Sequence, residues 1–228
     1  MKCFVIVESL RPKERPMQLI GMLDSPYVRR VAVSFQLLGL PFAHRSLSVF
    51  RTFDEFRRIN PVVKAPTLIC DDGEVLMDST LILDYAEALA SPRKTLMPGA
   101  IPQRQQALRI IGLALAACEK SVQIVYERNL RPAEKQHAPW IERVTSQLLA
   151  AYDGLEAACS RHPLAASGDA INQAGVSAAV AWQFTQRTIP DVVDAANYPL
   201  LRAFSAQAER LPAFAAAPHG PGTYPHPG

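Results

Sequence analysis

The chain reads VVKAPTLICDDGEVLMDST over residues 62–80, and this stretch decides the fold. Two short apolar runs, residues 67–70 and 75–77, flank the pair Asp72-Gly73. An Asp-Gly pair between apolar runs is typical of a tight hairpin turn. The stretch therefore predicts two adjacent antiparallel strands joined by that turn.

Two features at the ends of the hairpin leave backbone groups free for a ligand. Pro66 lies just before the first strand, where an X-Pro bond can be cis because the cis form costs only about 0.5–1 kcal/mol. A cis bond would turn the N–H and C=O of Ala65 outward, where they could pair with an extended peptide. After the hairpin, Asp78 and Ser79 offer side-chain oxygens to the free N–H groups of a helix predicted over residues 80–90.

A second informative stretch begins at Ser25. Serine is a good N-cap, and Pro26 suits the first helical position because the N–H it lacks would have no partner there. Apolar residues at helical spacing then predict a helix that ends at Gly39. The flanking residues predict strands over 17–23 and 41–47 and a short helix over 52–59. The order βαβ followed by ββα is that of a thioredoxin-like domain.

The pattern Lys-Ala-Pro-Thr-Leu, hairpin, Asp-Ser and helix resembles the N-terminal domain of cytosolic glutathione S-transferases, in particular bacterial members with a serine-type active site. The resemblance covers residues 17–215. It implies the glutathione S-transferase fold, an α/β thioredoxin-like N-terminal domain followed by an all-α C-terminal domain. It also implies a cytoplasmic homodimer with a role in detoxification, whose partners are glutathione and a small electrophile.

The resemblance assigns a role to each residue of the site. The residue before the cis-proline binds the cysteinyl backbone of glutathione, and the acid-serine pair binds its γ-glutamyl end. Ser25 takes the position of the catalytic serine whose hydroxyl donates to the glutathione sulfur. The implied glutathione-binding residues are Ser25, Lys64, Ala65, Pro66, Asp78 and Ser79.

The residues around Ser25 also exclude one kind of chemistry. Glutaredoxin-like proteins carry Cys-Pro-Tyr-Cys at this site, whereas this chain carries Ser-Pro-Tyr-Val over residues 25–28. Dithiol exchange is excluded there, and the reacting thiol must arrive with the ligand. A hydroxyl donor and the positive end of a helix would favour the thiolate, which is the working nucleophile. Arg29 lies one turn further on, and we expect it to be a solvated surface residue.

Composition and charge exclude several other classes of function. With 24 basic and 21 acidic side chains, the formal charge is +3 and no block of like charge is present. This balance gives no case for nucleic acid. No apolar run is long enough for a membrane span or a signal-peptide core, so we expect a cytoplasmic protein with no membrane partner. The cysteines lack metal-site spacing, and we expect four reduced, buried thiols and no metal; they are Cys3, Cys70, Cys118 and Cys159.

The chain divides into five predicted parts. We expect a disordered extension over residues 1–16, the glutathione-binding domain over 17–91, a linker over 92–101, a helical domain over 102–215 and a flexible tail over 216–228. The low content of structure-forming residues predicts an unfolded or loosely docked chain from Pro212 onward. The helical domain shows four long periodic segments, residues 103–129, 135–159, 174–188 and 199–210.

The helical domain also supplies candidate cleft residues. The helix around residues 108–126 should face Ser25 across an apolar cleft, with Leu113, Ala117 and Tyr126 as candidates. Trp182 and Phe184 are expected to pack in the core. Asn172 can cap the helix to which they belong. The family's capping box ends in an acidic residue, but this chain has Gly175 at that position.

Three functions stay open on the sequence. The first is a glutathione transferase that activates the glutathione thiolate for attack on a small electrophile. The second is a non-catalytic glutathione- or ligand-binding protein, or a chaperone-like protein, on the same fold. The third is a glutathione-dependent isomerase, etherase or dehalogenase. The maleylacetoacetate isomerase branch typically shows Ser-Ser-Cys where this chain has Asp24-Ser25-Pro26, which argues against that branch.

Overall fold

The computed structural model describes residues 16–219, and the N-terminal part forms a four-stranded sheet with three helices. Predictions for residues 1–15, including Cys3, and for residues 220–228, including His226, lie outside the described residues. The elements are β1 Gln18–Ile20, α1 Pro26–Leu38, β2 Ala43–Arg45, α2 Phe53–Ile59, β3 Thr67–Ile69, β4 Val75–Met77 and α3 Ser79–Ala90.

The sheet has the order β2-β1-β3-β4, and its register follows from the two predicted motifs. Helix α1 crosses over between β1 and β2, which pair in parallel, and β3 pairs antiparallel with both β1 and β4. The β3–β4 hairpin turns at Gly73, whose φ of 94° favours glycine because a side chain is strained there. The predicted hairpin and the thioredoxin-like order of elements are confirmed.

The C-terminal part is helical, as predicted. Its helices are α4 Ile101–Leu130, α5 Ala138–Arg161, α6 Gln173–Thr188, α7 Pro199–Ala208 and the short α8 Pro212–Ala215. Within residues 16–219, no helix combines the length and apolar character needed to cross a membrane.

Helix α1 lies between the two parts of the molecule and fixes their relative position. Its residues Val28, Val31 and Phe35 are fully buried in one core cluster that continues into the helical part. The opposite wall of that cluster is α6, in which Val176 and Trp182 are buried. Because the same core holds α1 and the helices opposite it, the start of α1 is held in a fixed place against the helical part.

The missing acid at the start of α6 has a packing reason. Asn172 caps the helix as predicted, since its Oδ1 accepts the N–H of Gly175 at 3.1 Å. A Cβ at Gly175 would lie 3.0 Å from Cγ1 of Ile171 and 3.1 Å from Cζ of Phe204. The close approach of Phe204 from α7 therefore disfavours any side chain at this position.

Two expectations about the surface are wrong. Arg29 is only 1% exposed, and its guanidinium makes two hydrogen bonds to the Glu209 carboxylate, at 2.7 and 2.6 Å. Its Nε donates to the carbonyl of Ala217 at 2.8 Å, and the buried ring of Phe214 lies 5.7 Å from the guanidinium. Residues 212–217 are therefore docked on α1 and are not a loose tail.

Candidate functional site

Two adjoining cavities lie between the N-terminal part and α4. One has a volume of about 600 Å³ and the other about 610 Å³. Tyr27, Lys64 and Ala65 line both cavities. The two therefore form one cleft with two compartments, which we call the polar compartment and the apolar compartment.

The polar compartment is built around the start of α3. Asp78, Ser79 and Thr80 line it from one side, and the cis-bonded pair Ala65-Pro66 lines it from another. Asp78 has a φ of 75°, which non-glycine residues rarely adopt and which often marks a functional site. Together with Lys64, these residues include every predicted contact to the glutathione backbone and its γ-glutamyl end.

Hydrogen bonds keep the Asp78 carboxylate ionised. Burial acts to raise its pKa, but hydrogen bonds from the Thr80 N–H at 2.9 Å and from Lys64 Nζ at 3.1 Å outweigh burial and lower the pKa. An ionised carboxylate can bind an ammonium group, and the positive end of α3 beside it favours a carboxylate. This corner of the cleft therefore suits a zwitterion.

Arg30 lies behind this corner, lines a separate cavity with Asp84 and Glu87, and was missed by sequence reasoning. Its side chain is buried, and Nη1 donates to Ser79 Oγ at 3.0 Å and to Thr80 Oγ1 at 3.3 Å. Burial lowers the pKa of Arg30 to about 10, so it stays cationic at neutral pH. The available signal was a charged residue on the helix that apolar spacing predicts, but helical spacing does not say where such a side chain points.

Ser25 lies in the apolar compartment, at the start of α1. Its Oγ accepts the N–H of Val28 at 3.5 Å, which confirms the predicted N-cap. The positive end of a 13-residue helix therefore faces the same cavity as the hydroxyl. Most of the remaining wall is apolar and includes Val49, Val62, Val122, Val125 and Phe184.

Two aromatic side chains meet beside the apolar compartment. Phe50 from the N-terminal part and Tyr126 from α4 pack edge to face, with ring centroids 5.4 Å apart, and both line the cavity. Burial and the nearby Asp24 carboxylate raise the pKa of Tyr126, so its phenol is protonated at neutral pH. Tyr126 can therefore donate a hydrogen bond into the cleft.

The other candidate cleft residues do not face either cavity. Ala117 is fully buried in the core, and Leu113 packs against Gly154 of α5. The α4 residues that line the polar compartment are their neighbours, among them Gly112 and Ala116. One residue along a helix turns a side chain by about 100°, so the prediction chose the adjacent face. Phe184, assigned to the core, also lines the apolar compartment.

The described cysteines do not offer a thiolate to the site. Cys70, Cys118 and Cys159 are all buried, as predicted. Burial raises the pKa of Cys118 to about 12 and, with the Glu156 carboxylate nearby, that of Cys159 to about 11. These groups are neutral thiols at neutral pH. Among residues 16–219 there is also no group of three or more His, Cys, Asp or Glu side chains placed to hold a metal.

The fold is similar to that of glutathione S-transferases. Residues 19–94 match the family model for the glutathione S-transferase N-terminal domain. The chain is 31% identical over 77 residues to glutathione S-transferase U4 of Arabidopsis thaliana, a match that covers 34% of each protein. The aligned part therefore spans about a third of that curated relative.

Two solved structures match nearly the whole chain. A glutathione transferase family member from Pseudomonas fluorescens with bound S-(propanoic acid)-glutathione is 28% identical, with a TM-score of 0.75 over 90% of this chain and 97% of that one. A glutathione S-transferase from Methylobacterium radiotolerans in complex with glutathione sulfonate is 25% identical, with a TM-score of 0.82 over 90% and 96%. Together these matches show that the chain has the glutathione S-transferase fold.

Proposed function

We propose that this chain is a glutathione transferase of the serine type. One observation carries the proposal: Lys64 and Ala65 line the polar and apolar compartments alike. An extended tripeptide lying along Ala65 would have its γ-glutamyl end at Asp78 and Ser79 and its sulfur towards Ser25. Two structures of a glutathione transferase family member from Pseudomonas fluorescens hold glutathione or a glutathione conjugate, which supports glutathione as the ligand.

In this proposal each charged group of the γ-glutamyl end meets a group of opposite charge or partial charge. Asp78 accepts hydrogen bonds from the γ-glutamyl ammonium, and Ser79 with the start of α3 binds the carboxylate. The cysteinyl backbone pairs with Ala65, held in place by Pro66. Lys64 adds a positive charge to a cleft that receives an anionic tripeptide.

Ser25 and the positive end of α1 stabilise the thiolate. A free thiol has a pKa near 8.5, and a hydroxyl donor with a helix N-terminus lowers that value. The ionised sulfur forms a bond to an electrophilic carbon held in the apolar compartment. The leaving group departs with the electron pair of the broken bond, or the adduct takes a proton from solvent. In the proposal the protonated phenol of Tyr126, which lines this compartment, orients the electrophile.

Glutathione binding is tested by calorimetric titration of the wild type and of Ser79→Ala. Loss of a hydrogen bond to a charged group costs about 1.5–3 kcal/mol, so Kd should rise by roughly ten- to a hundredfold. Ser146→Ala, which changes an exposed serine on α5, should bind like the wild type. A wild type that does not bind glutathione would contradict the proposal.

A panel of electrophiles tests the reaction type. Aryl halides, epoxides and α,β-unsaturated carbonyls should give glutathione adducts, and Ser25→Ala should lower kcat by about a hundredfold or more. Binding without any turnover would favour the non-catalytic alternative. Rearranged, ether-cleaved or dehalogenated products would instead favour the isomerase, etherase or dehalogenase alternatives.

We also infer a cytoplasmic homodimer. The support is the resemblance together with exposed apolar side chains on α3 and α4, namely Leu81, Ile101 and Leu108. Large exposed apolar side chains are common at interaction surfaces. Light scattering on the purified protein should give twice the mass of one chain, and a monomer at micromolar concentration would contradict the inference.

A further inference from the structure

We propose that Val63 is a specificity-determining residue, whose side chain limits the size of the electrophile that the apolar compartment admits. This inference rests on the proposed function and deepens it. Within residues 16–219, Val63 lines the apolar compartment, which also holds Ser25, and does not line the polar one. The next two residues, Lys64 and Ala65, line both. Val63 therefore lies on the side of the cleft that receives the electrophile.

The backbone of Val63 has an unfavourable conformation. Its φ is 53°, and in the described part of the chain Asp78 is the other non-glycine residue with a positive φ. In this left-handed region the Cβ of an L residue comes too close to a carbonyl oxygen, and a β-branched residue is rarely found there. Glycine would adopt the same φ without that cost. Backbone strain of this kind is concentrated at functional sites.

Hydrogen bonds from Asn60 and Thr67 hold this turn in place. The Asn60 carbonyl accepts the Val63 N–H at 2.9 Å, and Asn60 Oδ1 accepts the Val62 N–H at 3.0 Å. Asn60 Nδ2 donates to Thr67 Oγ1 at 2.8 Å, and that hydroxyl donates to the Lys64 carbonyl at 2.7 Å. Only the backbone of residue 63 takes part, so a glycine could make the same turn. The turn by itself does not require a valine.

The side chain of Val63 has two surroundings that can offset the strain. On one side it packs against a small core cluster formed by Ile20, Leu47 and Phe56. On the other side it forms part of the wall of the apolar compartment. Other partly buried apolar residues cover the same cluster, namely Val49, Ile59, Ala65 and Ile69. Packing on the cluster therefore does not depend on Val63 alone, which favours a role in the wall.

Calorimetric titrations with glutathione, S-benzylglutathione and S-naphthylmethylglutathione test that role. The ligands differ only in the group on the sulfur, so the test needs no turnover. In the wild type the naphthylmethyl conjugate should bind at least about tenfold more weakly than the benzyl conjugate, because the second ring meets the wall. Val63→Gly should remove most of that difference and change the Kd of glutathione by less than about threefold.

Two further variants separate the wall from the backbone and from the core. Val63→Ala also reduces the side chain but keeps a Cβ at a φ of 53°. It should admit the larger conjugate and yet unfold at a lower urea concentration than Val63→Gly. Ile69→Ala reduces packing on the small core cluster from β3, at a position that lines neither compartment. It should leave the ratio of the two conjugate affinities unchanged.

The results that would overturn the inference are distinct from those that concern the proposed function. An unchanged ratio of conjugate affinities in Val63→Gly, or equal binding of both conjugates by the wild type, would overturn the inference alone. The same change of ratio in Ile69→Ala would also overturn it, because a loosened core would then explain the result. No binding of glutathione by the wild type would contradict the proposed function as well. If Val63→Gly does not fold, the ratio in Val63→Ala decides in the same way.

Discussion

Arg29 and Arg30 are neighbours on α1 and are both almost fully buried, yet their positive charges have different kinds of partner. Arg29 meets the Glu209 carboxylate with two hydrogen bonds and the Ala217 carbonyl with a third. Arg30 forms no direct ion pair within residues 16–219: it donates to the hydroxyls of Ser79 and Thr80, and the Asp78 carboxylate acts on its charge from further away. Moving a charge out of water costs several kcal/mol unless it is paired. The charge of Arg29 is therefore balanced by a direct ion pair, whereas that of Arg30 is compensated by hydroxyl groups and by a carboxylate that does not touch it.

Removing the paired arginine should have the largest effect on stability. Arg29→Met leaves the carboxylate of Glu209 without its partner and frees the carbonyl of Ala217. We expect the free energy of unfolding to fall by roughly 2–4 kcal/mol, somewhat below the value for a fully buried pair because Glu209 is partly exposed. Urea denaturation followed by circular dichroism measures it.

The double variant Arg29→Met/Glu209→Met is the control for that result. Replacing both members of a buried ion pair by apolar residues is often close to neutral. The double variant should therefore recover most of the lost stability, to within about 1 kcal/mol of the wild type. A double variant less stable than Arg29→Met would show that the pair contributes by something other than its charges.

The unpaired arginine should behave in the opposite way. Arg30→Met removes a desolvated cation that has no direct ion pair within residues 16–219, so the free energy of unfolding without ligand should change by less than about 1 kcal/mol. It is measured under the same conditions as for Arg29→Met. A loss as large as that of Arg29→Met would mean that Arg30 is also a structural residue, and the contrast between the two would fail.

The exposed pair Lys64–Asp78 should have the smallest effect. Because folding lowers the pKa of Asp78, its ionised carboxylate stabilises the fold at pH values above the ordinary pKa of aspartate, which is near 4. This stabilisation is lost as the pH falls through the lowered pKa of the folded state. Because more than a third of the carboxylate side chain is exposed, the effect should be below about 0.5 kcal/mol. Asp78→Asn should therefore lose slightly less stability than the wild type between pH 5 and about pH 3.

Local chemistry explains what could be predicted from the sequence. The turn at Gly73, the caps at Ser25 and Asn172 and the acid-serine pair before α3 each depend on residues close together in the chain. The partners of Arg29 lie 180 and 188 residues away, and Ser79 lies 49 residues from Arg30. No spacing rule connects residues over such distances.

The wrong assignments in α4 have a related cause. Helical spacing places Leu113 and Ala117 on one face of α4, but it does not say whether that face meets α5 or the cleft. The structure turns it towards the core, and Gly112 and Ala116 face the polar compartment. The identity of the neighbouring element, which only the assembled fold supplies, decides the role of each side chain.

The central claim is that this cleft binds glutathione and ionises its thiol through Ser25. Its most direct test is an ultraviolet absorbance titration of the thiolate of bound glutathione, in the wild type and in Ser25→Ala. We expect the bound thiol of the wild type to have a pKa at least about one unit below the free value near 8.5, and Ser25→Ala to return most of that difference. An unchanged thiol pKa in the wild-type complex, or the same lowered pKa in both proteins, would contradict it.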